Sequence, residues 1–184
     1  MDILSIIGIV IGLIILFLII SVVTLQLDLA SYTATGAETL TPNGAPVGNA
    51  LVVYSPGVTG AAKKAATEIA NDLKSKGYNV TLAGVRNSAA KTTSDYDIII
   101  TGGPMYFGKV SSSIDGYLKN LKVPENVKLG VFGTTGTDDV VQENTDSLKA
   151  QVASFQSGNV TIKTIRDSAE NLAQDCQDLV STIV

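Results

Sequence analysis

The residues with types and spacing suited to chemistry lie in YSPGVTGAAKKAA, Tyr54 to Ala66. Ser55 and Thr59 supply hydroxyls, Gly57 and Gly60 let a backbone approach a ligand closely, and Lys63 and Lys64 follow one turn later. An apolar run precedes the stretch and an alanine-rich one follows it, so it reads as a strand turning into a helix. Free N–H groups and the dipole at a helix start favour an anion. The spacing is neither G-x-x-x-x-G-K-[ST] nor G-x-G-x-x-G. The implied chemistry is anion capture.

Little else in the chain is equipped for catalysis. It contains no His and one Cys, Cys176. That excludes a Ser-His-Asp triad, a Cys-His nucleophile, a His-ligated metal and an intrachain disulfide. Any chemistry therefore points to a borrowed cofactor. Cys176 falls on the apolar stripe of the last expected helix and reads as a small core residue.

The elements that would position the turn alternate along the chain. Ala50–Tyr54 (ALVVY), Tyr96–Thr101 (YDIIIT) and Lys128–Phe132 (KLGVF) are continuous apolar runs. Asn79–Ala83 (NVTLA) and Asn159–Ile165 (NVTIKTI) alternate. Between and after them, helical stripes are expected at Ala62, Ala65, Ala66, Ile69, Ala70 and Leu73, and then at Val110, Ile114, Tyr117, Leu118 and Leu121. Leu148, Val152 and Phe155 mark a third, and Leu172, Cys176, Leu179, Val180 and Ile183 a fourth. Gly77 fits the end of the first of these helices. Strand and helix in alternation predict a parallel sheet sandwiched by helices, the three-layer α/β class. Strands buried on both faces read as continuous runs and less covered ones alternate. Expected strands two and five therefore belong at the edges, giving the order 2-1-3-4-5. Ligands of such sheets bind beyond the carboxyl ends of the strands where the order reverses, here between strands one and three. That brings together Ser55–Ala61, Gly102–Gly108 and Gly133–Asp138. A receiver domain of this topology needs an Asp after strand three, where this chain has Thr101-Gly102-Gly103.

With these residues in place, the domain resembles the flavodoxin-like family of the short-chain type, since no long insertion interrupts strand five. YSPGVTGAAKKAA is similar to the family's phosphate loop, GGPMYFGKVSSSIDGYLKNL (Gly102–Leu121) to its second flavin loop and following helix, and VFGTTGTDD (Val131–Asp139) to its third loop. The resemblance spans Ala50 to Val184 and implies a five-stranded flavodoxin-like sandwich binding FMN non-covalently. It assigns Ser55, Gly57, Thr59, Gly60, Ala61 and Ala62 to the phosphate. Pro104, Met105, Tyr106, Phe107 and Gly108 would hold the flavin ring, Tyr106 or Phe107 covering one face, with Thr134, Thr135 and Gly136 beside it. The phosphate loop departs from the family pattern. Ala61 and Ala62 stand where the family's T-G-N-T has Asn and Thr, and the turn is longer by one residue. A lost charge-assisted hydrogen bond to phosphate costs about 1.5–3 kcal/mol, so the loop is expected to bind an anion less tightly. Asp138 and Asp139 read first as helix N-caps, and beside a reduced flavin they would lower its potential by repulsion.

From Ile3 to Leu25 there is no charged residue. The run exceeds the ~20 apolar residues that cross a bilayer and is too long for a signal peptide's h-region of ~7–15. Residues 1–25 are expected as an uncleaved single-pass anchor, 26–48 as a flexible tether with a reach of roughly 25 Å, and 49–184 as the domain. Seventeen acidic residues against thirteen basic ones, with no basic patch by the anchor, argue against nucleic acid and against electrostatic adhesion to anionic lipid. Charge bias does not orient the anchor; FMN is loaded in the cytoplasm, which favours a cytoplasmic domain, while the sequons at Asn79 and Asn159 would suit the outside.

Three functions follow as expectations. The first is a membrane-tethered electron carrier serving a membrane redox complex or redox protein. The second is a flavin-free flavodoxin fold acting as an assembly module of a membrane complex. The third, without a substrate motif, is a flavin-dependent quinone or protoporphyrinogen reductase.

Overall fold

The computed structural model describes residues 3–29, 34–136, 141–154, 156 and 158–184. Helix α1, Ile3–Leu29, is apolar almost throughout, and its side chains from Ile6 to Val23 are exposed. It is long and apolar enough to cross a membrane.

The domain is built on parallel strands β2 (Gly48–Tyr54), β3 (Tyr78–Gly84), β4 (Ile98–Tyr106), β6 (Lys128–Thr135) and β7 (Val160–Arg166). They lie in the order β3-β2-β4-β6-β7, which is the expected 2-1-3-4-5. Two further strands correct the five-stranded count. β1 (Ala37–Leu40) pairs antiparallel with β3, Ala37 opposite Ala83 and Leu40 opposite Val80. β5 (Lys109–Val110) folds back on the end of β4. The alternating β3 is thus not the edge, because β1 covers it, whereas β7 is.

β1 also corrects the expected tether. Helix α1 runs to Leu29, and Ala34 is buried. The carbonyls of Ala34 and Gly36 accept from the N–H groups of Arg86 and Gly84, at 2.9 and 2.8 Å. Gly84 is required here: a Cβ on it would lie 2.3 Å from the Ala34 carbonyl carbon.

Two hydrophobic layers flank the sheet. Helix α2 (Ala61–Ser75) and helix α5 (Leu172–Ile183) cover one face, where Val52, Ile100, Phe132 and Ile165 meet Ala62, Ala66, Ile69, Leu179 and Val180. Helices α3 (Ser112–Asn120) and α4 (Val141–Ala153) cover the other, over Leu51, Val53, Ile99 and Val131. Small alanines on α2 let it lie close to the sheet, and all six residues of its expected stripe are buried. Gly77, with φ +94°, follows its C-cap. The α3 stripe is shorter than expected, since Val110 lies in β5 and Leu121 past the helix end. Phe155 lies outside the described residues.

Candidate functional site

β2 leads to α2 on one face of the sheet, and β4 leads through β5 to α3 on the other. The chain directions diverge between these two neighbouring strands, opening a crevice at their carboxyl ends. Ser55, at its floor, donates its N–H to the Gly102 carbonyl at 3.0 Å and is buried.

From Ser55 the chain makes a tight turn. Gly57 (φ +71°) and Gly60 (φ +74°) are both left-handed, and the Gly60 N–H reaches the Gly57 carbonyl at 3.3 Å. Only glycine takes these angles cheaply. Gly60 caps α2 without a side-chain bond, but the Thr59 hydroxyl accepts from the Ala61 N–H at 3.3 Å. The first N–H to return into the helix is that of Lys64, to Gly60. Among the described residues none accepts from the N–H of Ala62 or Lys63. These two groups, with exposed Lys63 and Lys64 beside them, form an electropositive helix start fit for a phosphate. The two replaced side chains, an amide and a hydroxyl, are not equivalent positions: Ala62 is fully buried in the α2 core layer, whereas Ala61 is 6% exposed.

The segment Gly102–Gly108, expected as a loop, is largely strand. β4 continues to Tyr106, with Gly103 opposite Gly133 and Pro104 opposite Thr134. Two glycines in succession admit neighbours that a Cβ would displace: Phe132 at Gly102, and Ser111 with Ile114 at Gly103. β4 then turns through Phe107 and Gly108 into β5, with Tyr106 opposite Lys109. Phe107 has φ 51° and Gly108 φ 76°, so both turn residues are left-handed. Phe107 is 97% exposed.

The structure thus divides the fourteen expected site residues. Ser55, Gly57, Thr59, Gly60, Ala61 and Ala62 gather at the start of α2. Gly57 rests on Pro104, and Pro104 is beside Thr134. Gly136 is exposed at the end of β6. Met105 turns away: its sulfur packs over Gly133, on the α3/α4 side. The Thr135 hydroxyl accepts from Asn144 Nδ2 of α4 at 3.3 Å. Tyr106, Phe107 and Gly108 line a groove of about 910 Å³ between the hairpin, α3 and α4, apart from the α2 start. Its polar wall was not legible in the sequence. Gln151 accepts from the Val110 N–H at 3.0 Å and donates to Asp115 at 2.8 Å, and Asp115 pairs with Lys119 at 2.6 Å. Asp138 and Asp139 lie outside the described residues.

Two strands beyond β4, at the edge of the sheet, Arg166 ends β7. Its Nε and Nη2 donate to the two oxygens of buried Asp175 on α5, both at 2.8 Å, and Lys163 approaches the same carboxylate at 3.5 Å. Burial opposes ionisation of Asp175, but the Arg166 hydrogen bonds and the two cations outweigh it and hold the carboxyl below its usual range. Among the described residues no cluster of His, Cys, Asp or Glu could hold a metal ion.

A family model for the flavodoxin domain matches residues 51–174. No curated protein sequence matches the chain. Among solved structures, oxidised flavodoxin 2 from Bacillus cereus is 17% identical with a TM-score of 0.55, over 73% of this chain and 97% of that one. The flavodoxin of Streptococcus pneumonia TIGR4 is 18% identical with a TM-score of 0.52, over 73% and 96%. The Flv1 flavodiiron core from Synechocystis sp. PCC6803 is 17% identical with a TM-score of 0.50, over 77% of this chain and 36% of that one. At these identities the structural likeness is one of fold. Because the family model spans well over half the sequence and the fold agrees with it, the chain belongs to the flavodoxin domain family.

Proposed function

We propose that the domain binds FMN non-covalently at the β2–β4 crevice and carries electrons to or from a redox partner at the membrane. The observation that carries this reading is the start of α2. Two N–H groups without an acceptor among the described residues, two left-handed glycines and two lysines converge where a flavodoxin domain would hold a phosphate. Ala62 and Lys63 would donate to the phosphate, Lys63 and Lys64 would balance its charge, and Pro104 and Thr134 would border the ring end. FMN, when bound, would supply one- or two-electron transfer. The protein would fix its place. No acid/base constellation stands by the crevice among the described residues, which favours a carrier over a substrate-processing enzyme. Helix α1 would anchor the carrier in the membrane, raising its local concentration at a partner there. A cytoplasmic domain fits cofactor loading best.

The test is flavin released on denaturation of the purified chain, together with the visible spectrum. A stoichiometric yield supports the reading. A colourless chain that leaves the fluorescence of added FMN unquenched ends it, and would favour the flavin-free assembly module that the Ala61-Ala62 pair already suggests.

A further inference from the structure

The direction of β1 settles where the anchor joins the domain. Because β1 is antiparallel to β3, its first residue, Ala37, lies beside Ala83 at the carboxyl end of the sheet. The residues before it are held at that same end by the Ala34–Arg86 and Gly36–Gly84 hydrogen bonds, and by Asn87 Nδ2 donating to the Thr35 carbonyl at 2.5 Å. Val85, next to Arg86, donates to the carbonyl of Tyr54, the residue that opens the crevice loop. The chain enters at the rim of the candidate site.

Covalent reach then limits how far the rim can stand from the bilayer. Helix α1 has 27 residues, about 40 Å at ~1.5 Å each, which matches a bilayer counted through its headgroups. Its last residue, Leu29, is five Cα steps from Ala34, a span of at most roughly 18 Å when fully extended. The opposite end of the sheet stands a further ~23 Å away, the length of a seven-residue strand.

Outside α1, exposed apolar side chains stand at both ends of the sheet, Val47 (70%) and Val184 (43%) at the amino end, but the most exposed of them lies at the rim. Phe107, 97% exposed, closes the β4–β5 turn, and Val58, 59% exposed, tops the β2–α2 loop. Both project from the carboxyl end. Among the described residues outside α1, Phe107 is the aromatic side chain left most fully to solvent, and it occupies a left-handed conformation that a bulky residue rarely takes. Lys63, Lys64 and Lys109 stand exposed on the same rim. An exposed aromatic tip with a lysine two residues on, Lys109, matches the chemistry of a membrane interface.

We propose that the carboxyl end of the sheet is held against the bilayer, with Phe107 and Val58 resting in the lipid interface and the β2–β4 crevice opening toward the membrane. Resting on the FMN reading, this places electron exchange at the membrane face and away from bulk solution.

The test uses the full chain in phosphatidylcholine/phosphatidylglycerol vesicles. Thr59→Cys and Lys109→Cys place a fluorophore at the carboxyl end, and Glu125→Cys places one at the amino end; all three positions are exposed, while Cys176 is buried. Headgroup spin-labelled lipid is then added as quencher. The expected result is at least a twofold loss of emission at 59 and 109 and little at 125. Equal quenching at all three positions, or none at 59 and 109, overturns the proposal. The readout needs no flavin, so a chain without FMN that quenches as expected keeps the orientation and loses only the cofactor.

Discussion

Gly57 and Pro104 are in direct contact across the crevice: a Cβ built on Gly57 would lie 3.0 Å from Pro104 Cγ and 3.1 Å from its Cβ. The contact joins the β2–α2 turn to the end of β4. Through Pro104, which faces Thr134 in register, it extends to β6. Three segments far apart in sequence therefore share one rigid rim.

Gly57→Ala is expected to break this joint. The left-handed angle costs a Cβ about 1–2 kcal/mol, and the crowding against Pro104 adds to it. Thermal unfolding should fall by several degrees, and FMN affinity by roughly tenfold, the equivalent of ~1.4 kcal/mol. Calorimetry and FMN titration read the two effects. Unchanged affinity would separate the turn from the ligand.

Lys63→Glu should divide binding from stability. An acidic residue in the first turn of α2 favours the helix dipole by about 0.3–1 kcal/mol, so the fold should hold or gain slightly. The same charge repels a phosphate, and FMN affinity should fall about tenfold at low salt and less at high salt. Titrations at two ionic strengths measure it. A fall in stability with FMN binding intact contradicts the assignment.

Asp175→Asn tests the β7–α5 bridge. Removing one partner of a buried ion pair costs about 3–5 kcal/mol, and the lower end is expected because Arg166 keeps some contact with water. The Asp175 pKa is depressed in the folded chain, so its stabilisation is present above the unfolded carboxylate value of about 4 and is lost as pH falls through the lower folded one. The gap between wild type and variant should thus be full near neutrality and close below about pH 4. Urea unfolding in detergent at a series of pH values would show this, and a gap constant with pH would rule it out.

Cys176 should resist thiol reagents while the chain is folded. Burial first, and then Asp72, Glu68 and Asp175, push its thiol up to about 12, and its sulfur donates to the Ala65 carbonyl at 3.6 Å. Alkylation at pH 8 is expected only after unfolding. Rapid modification of the native chain would place the residue outside the core.

The parallel core was legible because its signals are one-dimensional. Ala50–Tyr54, Ile98–Ile100 and Leu129–Phe132 are buried on both faces, and none of the three carries a charged residue. The α2 stripe was equally plain, since burial of each alanine depends only on helical spacing. β1 was not legible: AETL has one large apolar residue, and its strand state comes from unpaired groups on β3, a tertiary cause. Gly102-Gly103-Pro104 imitates a loop, yet it extends β4 because Phe132, Ser111 and Ile114 occupy the space that side chains would need. The family resemblance implied a place beside a flavin ring for Tyr106, Phe107 and Thr135. The β4–β5 turn and the Thr135–Asn144 bond, neither visible in the sequence, direct them toward α3 and α4.

The short strand Ala37–Leu40 has a practical consequence. By pairing along Val80–Ala83, it blunts a rim that would otherwise recruit a strand from a neighbouring copy. A fragment cut to begin at Asn49 would expose that rim and clump in solution, whereas one beginning at Ala34 would retain its shield.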